Sequence, residues 1–251
     1  MSNSVKLIVC DVDGTLLNKN DNKPSDKVFE MIAKVCRRKK LYALASGRSC
    51  NSLHKLFDDM NDVFFICSDG AYIRKNNRLI YQKPIAKSTL FSVLQKLSSS
   101  EFVLYGEKHA YASSRHVFDI ISDSENSMVK MLDEFDIETI AVYKLALFKR
   151  YHSYAKHYIE VNILLRQCYS GSLWCEYVDI AANKGNAVEH LQKEYGILYE
   201  ETAVFGDNTN DTHMLKKAYY SYAVGGAKTE IKALARFFTE SAADEIVNKF
   251  L

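Results

Sequence analysis

The sequence predicts an α/β protein, a parallel sheet with helices on both faces, interrupted by an inserted α+β unit. Three observations predict it. Short apolar runs at residues 7–10, 41–45, 63–67 and 202–205 alternate with segments of helical periodicity, the pattern of a parallel sheet. Each run stops at small polar or acidic residues: Asp11 and Asp13, Ser46 and Gly47, Ser68 and Asp69, and Asp207. Between about residues 84 and 181 the alternation gives way to a different mixture of strand-like and helical segments, and then it resumes.

The first run, Leu7, Ile8, Val9 and Cys10, suits a strand buried on both faces, with Asp11 placed where it ends. A carboxylate is costly to bury unpaired, so Asp11 and Asp13 should face a cation, a hydrogen-bond network or water. Val28, Met31, Ile32 and Val35 then recur at helical spacing, and the segment closes on Arg37, Arg38, Lys39 and Lys40. That basic run reads as a helix C-terminus complementing the macrodipole, with a nucleic-acid patch as the alternative. The next helix carries Leu53, Leu56, Phe57 and Met60, and residues 72–74 and 79–81 flank a turn as a hairpin.

The inserted unit is expected over 84–181, with 1–83 and 182–251 forming one discontinuous core. Within the insertion the patterning predicts a helix bearing Leu90, Val93, Leu94 and Leu97, strands at 102–105, 110–113, 139–148 and 173–180, and a helix over 151–166. Beyond it, a helix with Val188, Leu191 and Tyr195 ends at Gly196 and places Lys184 near its N-terminus. Residues 220–224 and 236–239 add two short strands.

Composition bounds the function. With 251 residues and 47% hydrophobic content the chain can build a full core, and a net charge of +2 gives no bulk attraction to nucleic acid or an anionic membrane. No stretch approaches the roughly 20 apolar residues of a membrane span, and no signal-peptide pattern precedes the first strand, so a cytoplasmic protein is expected. The six cysteines show no metal-ligand rhythm and read as reduced thiols.

A parallel sheet gathers its strand ends along one edge, where ligands bind. That edge collects Asp11, Asp13, Asp207, Asp211, Ser46 and Lys184. Four carboxylates repel one another unless a cation lies among them, and an all-oxygen set suits Mg²⁺, which in turn favours a phosphate ligand. A carboxylate can attack phosphorus, a second can act as acid and base, and a hydroxyl and an amine can neutralise the transferring group.

The motifs DVDGT at 11–15, ASGR at 45–48, Lys184 followed by Gly185, and GDNTND at 206–211 occur in the order found in the haloacid dehalogenase-like (HAD) phosphohydrolases. The sequence resembles the Cof-type subfamily in particular, whose large α+β cap is inserted after the third strand of a Rossmann-like core. CSDGA at 67–71 resembles the segment leading into that cap, and the resemblance spans nearly the whole chain. It implies that Asp11 is the nucleophile and a magnesium ligand, and that Asp13 is the acid/base with its backbone carbonyl on the metal. Ser46, with neighbouring amides such as that of Gly47, would bind phosphoryl oxygens. Lys184 would neutralise the aspartyl phosphate, Asp207 would ligate magnesium, and Asn210 and Asp211 would support phosphate, metal or Lys184. In the family's cation-pumping ATPases the position of Asp13 is threonine.

The implied activity is magnesium-dependent hydrolysis of phosphomonoesters of small metabolites, such as sugar phosphates or phosphorylated cofactors. A sugar phosphomutase and a non-catalytic phosphometabolite-binding module are the alternatives. Specificity should lie in the cap, where Tyr105, His109, Tyr111, Arg115, Tyr143 and Lys144 are candidates. The sequence departs from the family pattern at Val12, at Asp69 where asparagine is usual, and at Gly226.

Overall fold

The computed structural model describes residues 5–18, 21, 23–57, 60–76, 78–97, 100–122, 128–151 and 164–251. Its centre is β1 (Leu7–Asp11), buried along its whole length. Leu7 and Val9 enter one hydrophobic cluster while Ile8 and Cys10 enter another, so alternate side chains pack on opposite faces of the sheet. The eight-stranded sheet runs β14-β13-β12-β1-β2-β3-β4-β5. The strands are β2 (Leu41–Ala45), β3 (Phe64–Cys67), β4 (Tyr72–Lys75), β5 (Arg78–Gln82), β12 (Thr202–Gly206), β13 (Tyr220–Val224) and β14 (Phe237–Thr239). From β14 to β3 all pairings are parallel, and the β4–β5 hairpin completes the sheet antiparallel. Leu7 pairs with both Leu41 and Thr202, so Asp11 ends level with Ala45 and close to Gly206. The expected common edge is therefore built by register.

One face of this sheet packs on α1 (Asp26–Arg37) and α9 (Ala242–Phe250) through Val28, Met31, Ile32, Val35, Ile246 and Phe250. The other packs on α6 (Lys184–Tyr195), α7 (Thr212–Leu215) and α8 (Thr229–Leu234) through Val188, Leu191, Met214, Leu215 and Ile231. The basic run after α1 behaves as a helix end: Lys34 and Arg37 occupy its last turn, and Lys40 donates to the Val5 carbonyl.

A second, six-stranded sheet lies wholly between Phe102 and Asp179 and runs β10-β11-β9-β6-β7-β8. Its strands are β6 (Phe102–Tyr105), β7 (Ala110–Ala112), β8 (Val129–Met131), β9 (Lys144–Phe148), β10 (Leu165–Ser170) and β11 (Trp174–Asp179). All neighbours are antiparallel except β7 and β8. One face meets α3 (Lys87–Lys96) through Leu90 and Val93, and part of the other meets α4 (Arg115–Ile121) through Val117 and Ile121.

The structure differs from the sequence expectations at three places. The strand expected from 139 starts at Lys144, because Thr139 closes α5 (Glu134–Thr139). Arg166, expected to end a helix, lies in β10 opposite Val178, while 152–163 fall outside the described residues. Cys50 and Cys67 are disulfide-bonded, because the first residue of α2 (Cys50–Leu56) and the last of β3 bring their Cα atoms to 5.4 Å. The other four cysteines are free. No helix among the described residues is long and apolar enough to cross a membrane.

Candidate active site

At the carboxyl edge of the large sheet, Lys184 lies between two carboxylates. Its side chain is 0% exposed, and its Nζ donates to Asp11 Oδ1 at 2.5 Å and to Asp211 Oδ1 at 2.7 Å. The helix that carries it starts at Lys184 itself, with the Asn183 side chain accepting from the Asn186 amide as N-cap. Asp211 is fully engaged, since its Oδ2 accepts from the backbone amides of Asp207 and Asn208. Burial disfavours the Lys184 charge, but Asp11 and Asp211 outweigh that and hold its pKa above the ordinary lysine value.

Asp11 has the opposite balance. Burial and repulsion from Asp211 raise its pKa well above the usual carboxylate range, against the pull of Lys184. Asp207 is raised too, by burial and then by Asp211. One ammonium thus faces three carboxylates whose ligand atoms lie within 4.8 Å of one another, so that when all three are ionised two negative charges are left uncompensated. Asp11 Oδ2 is buried with no hydrogen-bond partner among the described residues. An unpaired carboxylate oxygen beside Asp207, in an all-oxygen set short of two positive charges, fits a hard divalent cation such as Mg²⁺.

The loop after β1 brings the remaining groups in. Gly14 has φ +98°, and a Cβ there would stand 2.3 Å from Asp207 Oδ2, so only glycine lets the turn pass this close to the acid. Thr15 donates from Oγ1 to Asp207 Oδ1 at 3.2 Å. The Asp13 carboxylate lies outside the acidic cluster and meets a guanidinium fork: Arg48 donates from Nε to Oδ2 at 2.9 Å and from Nη2 to Oδ1 at 2.7 Å. Ser46 Oγ donates to Asp13 Oδ2 at 3.3 Å and accepts from the Arg48 amide at 3.1 Å.

A cavity of about 800 Å³ opens above these groups. Asp11, Asp13, Gly47, Arg48, Asp69 and Asn210 line its floor, and Tyr105, Lys144, Tyr169, Trp174 and Glu176 of the second sheet line its roof. Lys144 is buried, donates to the Gly47 carbonyl and to Glu176, both at 3.0 Å, and stands 4.4 Å above the Tyr105 ring.

Asp11, Asp207, Asp211 and Lys184 are thus brought together, with Asp13 and Ser46 beside them. Asn210 points its amide at Asp69 rather than at the acidic cluster. Of the six cap candidates, only Tyr105 and Lys144 line the cavity. Tyr111 is buried in the hydrophobic cluster on the far face, Tyr143 stacks on Tyr72 and donates to Gln82, Arg115 pairs with Asp119, and His109 makes an edge contact with Tyr111. Tyr169, Trp174, Glu176 and Arg166 were missed. Alternation in 174–178 could have pointed to Trp174 and Glu176 on one face of a strand.

The family follows from comparison with known sequences. A profile described as haloacid dehalogenase-like hydrolase matches residues 8–251, and the chain belongs to that family. It is similar to the 5-amino-6-(5-phospho-D-ribitylamino)uracil phosphatase YbjI of Escherichia coli K12, with 22% identity over 93% of this chain and 90% of the relative. It is also similar to a phosphoglycolate phosphatase of Thermoplasma volcanium, with 26% identity over 98% and 96%. In fold it matches a haloacid dehalogenase-like hydrolase from Bacteroides thetaiotaomicron with a TM-score of 0.85 and 20% identity over 98% and 100% of the two chains. Family and relatives together make the chain a phosphoric monoester hydrolase.

Proposed function

We propose that the chain is a magnesium-dependent phosphatase that hydrolyses phosphomonoesters of small metabolites through an aspartyl phosphate on Asp11. In this reading 1–83 and 182–251 form the catalytic core, and 84–181 form the cap. The observation that carries it is the buried Oδ2 of Asp11 at the floor of the cavity, with no hydrogen-bond partner among the described residues, beside a lysine held by two carboxylates.

Asp11 attacks phosphorus through a carboxylate oxygen, and the ester bond to the leaving group breaks. Asp13 delivers a proton to the departing oxygen. In the second half Asp13 takes a proton from water as that water attacks phosphorus, which releases phosphate and restores Asp11. The Arg48 fork and Ser46 aim Asp13 for both transfers. Lys184 spreads the charge that builds on the transferring group, while Asp211 fixes its ammonium. Ser46 and the amides around Gly47 bind phosphoryl oxygens, with Asn210 lining the same cavity. Asp11 and Asp207, with the Asp13 backbone carbonyl, would hold Mg²⁺, and Asp211 supports the set through Lys184. When bound, the ion supplies the positive charge the acidic cluster lacks and polarises the phosphoryl group.

The cavity speaks to substrate size. About 800 Å³ lies toward the upper end of small-molecule pockets, and the aromatic side chains of Tyr169 and Trp174 line it. That supports a leaving group larger than glycolate, of the size carried by the substrate for which the Escherichia coli relative is named. The test is a panel of phosphorylated sugars, ring-bearing cofactors and phosphoglycolate, assayed for free phosphate with magnesium or chelator. Release from the larger esters, lost in chelator, is expected. Isomerised ester without free phosphate would assign a mutase instead, and tight ligand binding without turnover would assign a binding module.

A further inference from the structure

The second sheet reaches the reaction floor through two cations, and one of them meets a buried acid. Arg166 donates from Nη2 to Asp69 Oδ2 at 2.6 Å and also to the Ala182 carbonyl. The Asp69 side chain is 1% exposed, against 23% for Arg166. The other oxygen of Asp69 accepts from Asn210 Nδ2 at 3.1 Å. Ser68 and Asp69 both have left-handed backbones, at φ +48° and +57°, and the Asp69 amide donates to the Ser46 carbonyl at 2.9 Å. The carboxylate is thereby fixed on the cavity floor, lining the same space as Asp11 and Asp13.

An acid is an unexpected choice there. The floor already carries three clustered carboxylates against the single ammonium of Lys184, and the group that must bind is an anion. A further uncompensated carboxylate would repel that anion and leave a buried charge whose hydrogen bond from Asn210 brings no counter-charge. We propose that Arg166 is a positioning residue that screens Asp69, so that the second sheet keeps the phosphoryl site receptive to anions and leaves Asn210 oriented beside it. This rests on the phosphatase reading. It also accounts for the departure at 69, because an asparagine at that position would need no counter-charge.

The test compares wild type, Arg166→Met, Asp69→Asn and the double variant, all with magnesium and all checked for folding by thermal melting. Turnover of p-nitrophenyl phosphate and calorimetric affinity for orthophosphate are both measured. Arg166→Met is expected to lose about tenfold or more in kcat/KM and in orthophosphate affinity. The double variant is expected to return to within about threefold of wild type, and Asp69→Asn to bind orthophosphate at least as well as wild type. A purely mechanical tie gives the opposite order, since the double variant lacks the tie as well. Arg166→Met behaving like wild type, or a double variant as impaired as Arg166→Met, would overturn the proposal. Absence of turnover in wild type would count against the phosphatase reading, while the orthophosphate titration would still decide the role of Arg166.

Discussion

Replacing Lys184 by methionine tests how the site is built. The substitution nearly keeps the side-chain volume and removes the ammonium that bonds Asp11 at 2.5 Å and Asp211 at 2.7 Å in a fully buried position. Two buried carboxylates and a half-buried Asp207 then face one another without the ammonium that bridged two of them. Removing one partner of a buried ion pair destabilises by about 3–5 kcal/mol, because the charge left behind is unpaired. For a chain of this size each kcal/mol moves the melting midpoint by roughly 2–4 °C, so the expected fall is roughly 6–20 °C. Asp11→Asn removes a negative charge from the same cluster and is expected to leave the midpoint unchanged or raised. Adding it to Lys184→Met should recover part of the loss. The assay is thermal unfolding by circular dichroism at neutral pH in chelator. A Lys184→Met midpoint within about 2 °C of wild type, or an Asp11→Asn midpoint as low as that of Lys184→Met, would refute the reasoning.

Three further outcomes follow from the geometry. Gly14→Ala places a Cβ 2.3 Å from Asp207 Oδ2 on a backbone with φ +98°, so magnesium affinity measured by titration should fall more than tenfold, and an unchanged affinity would contradict the assigned role of this turn. Converting Cys50 and Cys67 together to serine opens a loop of sequence separation 17 and should destabilise by about 3 kcal/mol in denaturant unfolding, a loss that reducing agent should reproduce in wild type. In chelator, the folded-state pKa of Asp11 is raised above 3.8, so its ionisation weakens the fold as pH rises from that value through the folded one. The stability advantage of Asp11→Asn should therefore open above about pH 4 and level off once Asp11 is ionised; a difference that is constant with pH would contradict the raised value.

The reaction edge was legible because its signals are local. An apolar run that stops at a carboxylate fixes both the strand and the placement of Asp11, and parallel register then sets Ser46 and Asp207 one residue beyond its level on the two neighbouring strands. Lys184 was readable from the helix start that follows Asn183. The roof was less legible, because its residues are selected by which face of an antiparallel sheet looks toward the core. Arg166 read as a helix end although it lies in β10, whose LRQCYS sequence alternates weakly and is kinked by a register shift between Gln167 and Tyr169. Tyr143 carries the same side chain as Tyr105, yet it stacks on Tyr72 instead of entering the cavity. The Cys50–Cys67 bond joins two elements whose proximity arises only when α2 folds back on β3. Arg48 stood inside a motif that was read, but its grip on Asp13 is a tertiary contact with no periodicity to announce it.

The central claim is that Asp11 carries the phosphoryl group with magnesium beside it. The direct measurement is free-phosphate release from an ester established as a substrate, with magnesium and with chelator, by wild type and by Asp11→Asn shown to be folded. Magnesium-dependent release by wild type, abolished in Asp11→Asn while its melting midpoint is kept, is the predicted result. Wild-type turnover by Asp11→Asn, or release unaffected by chelator, would contradict it.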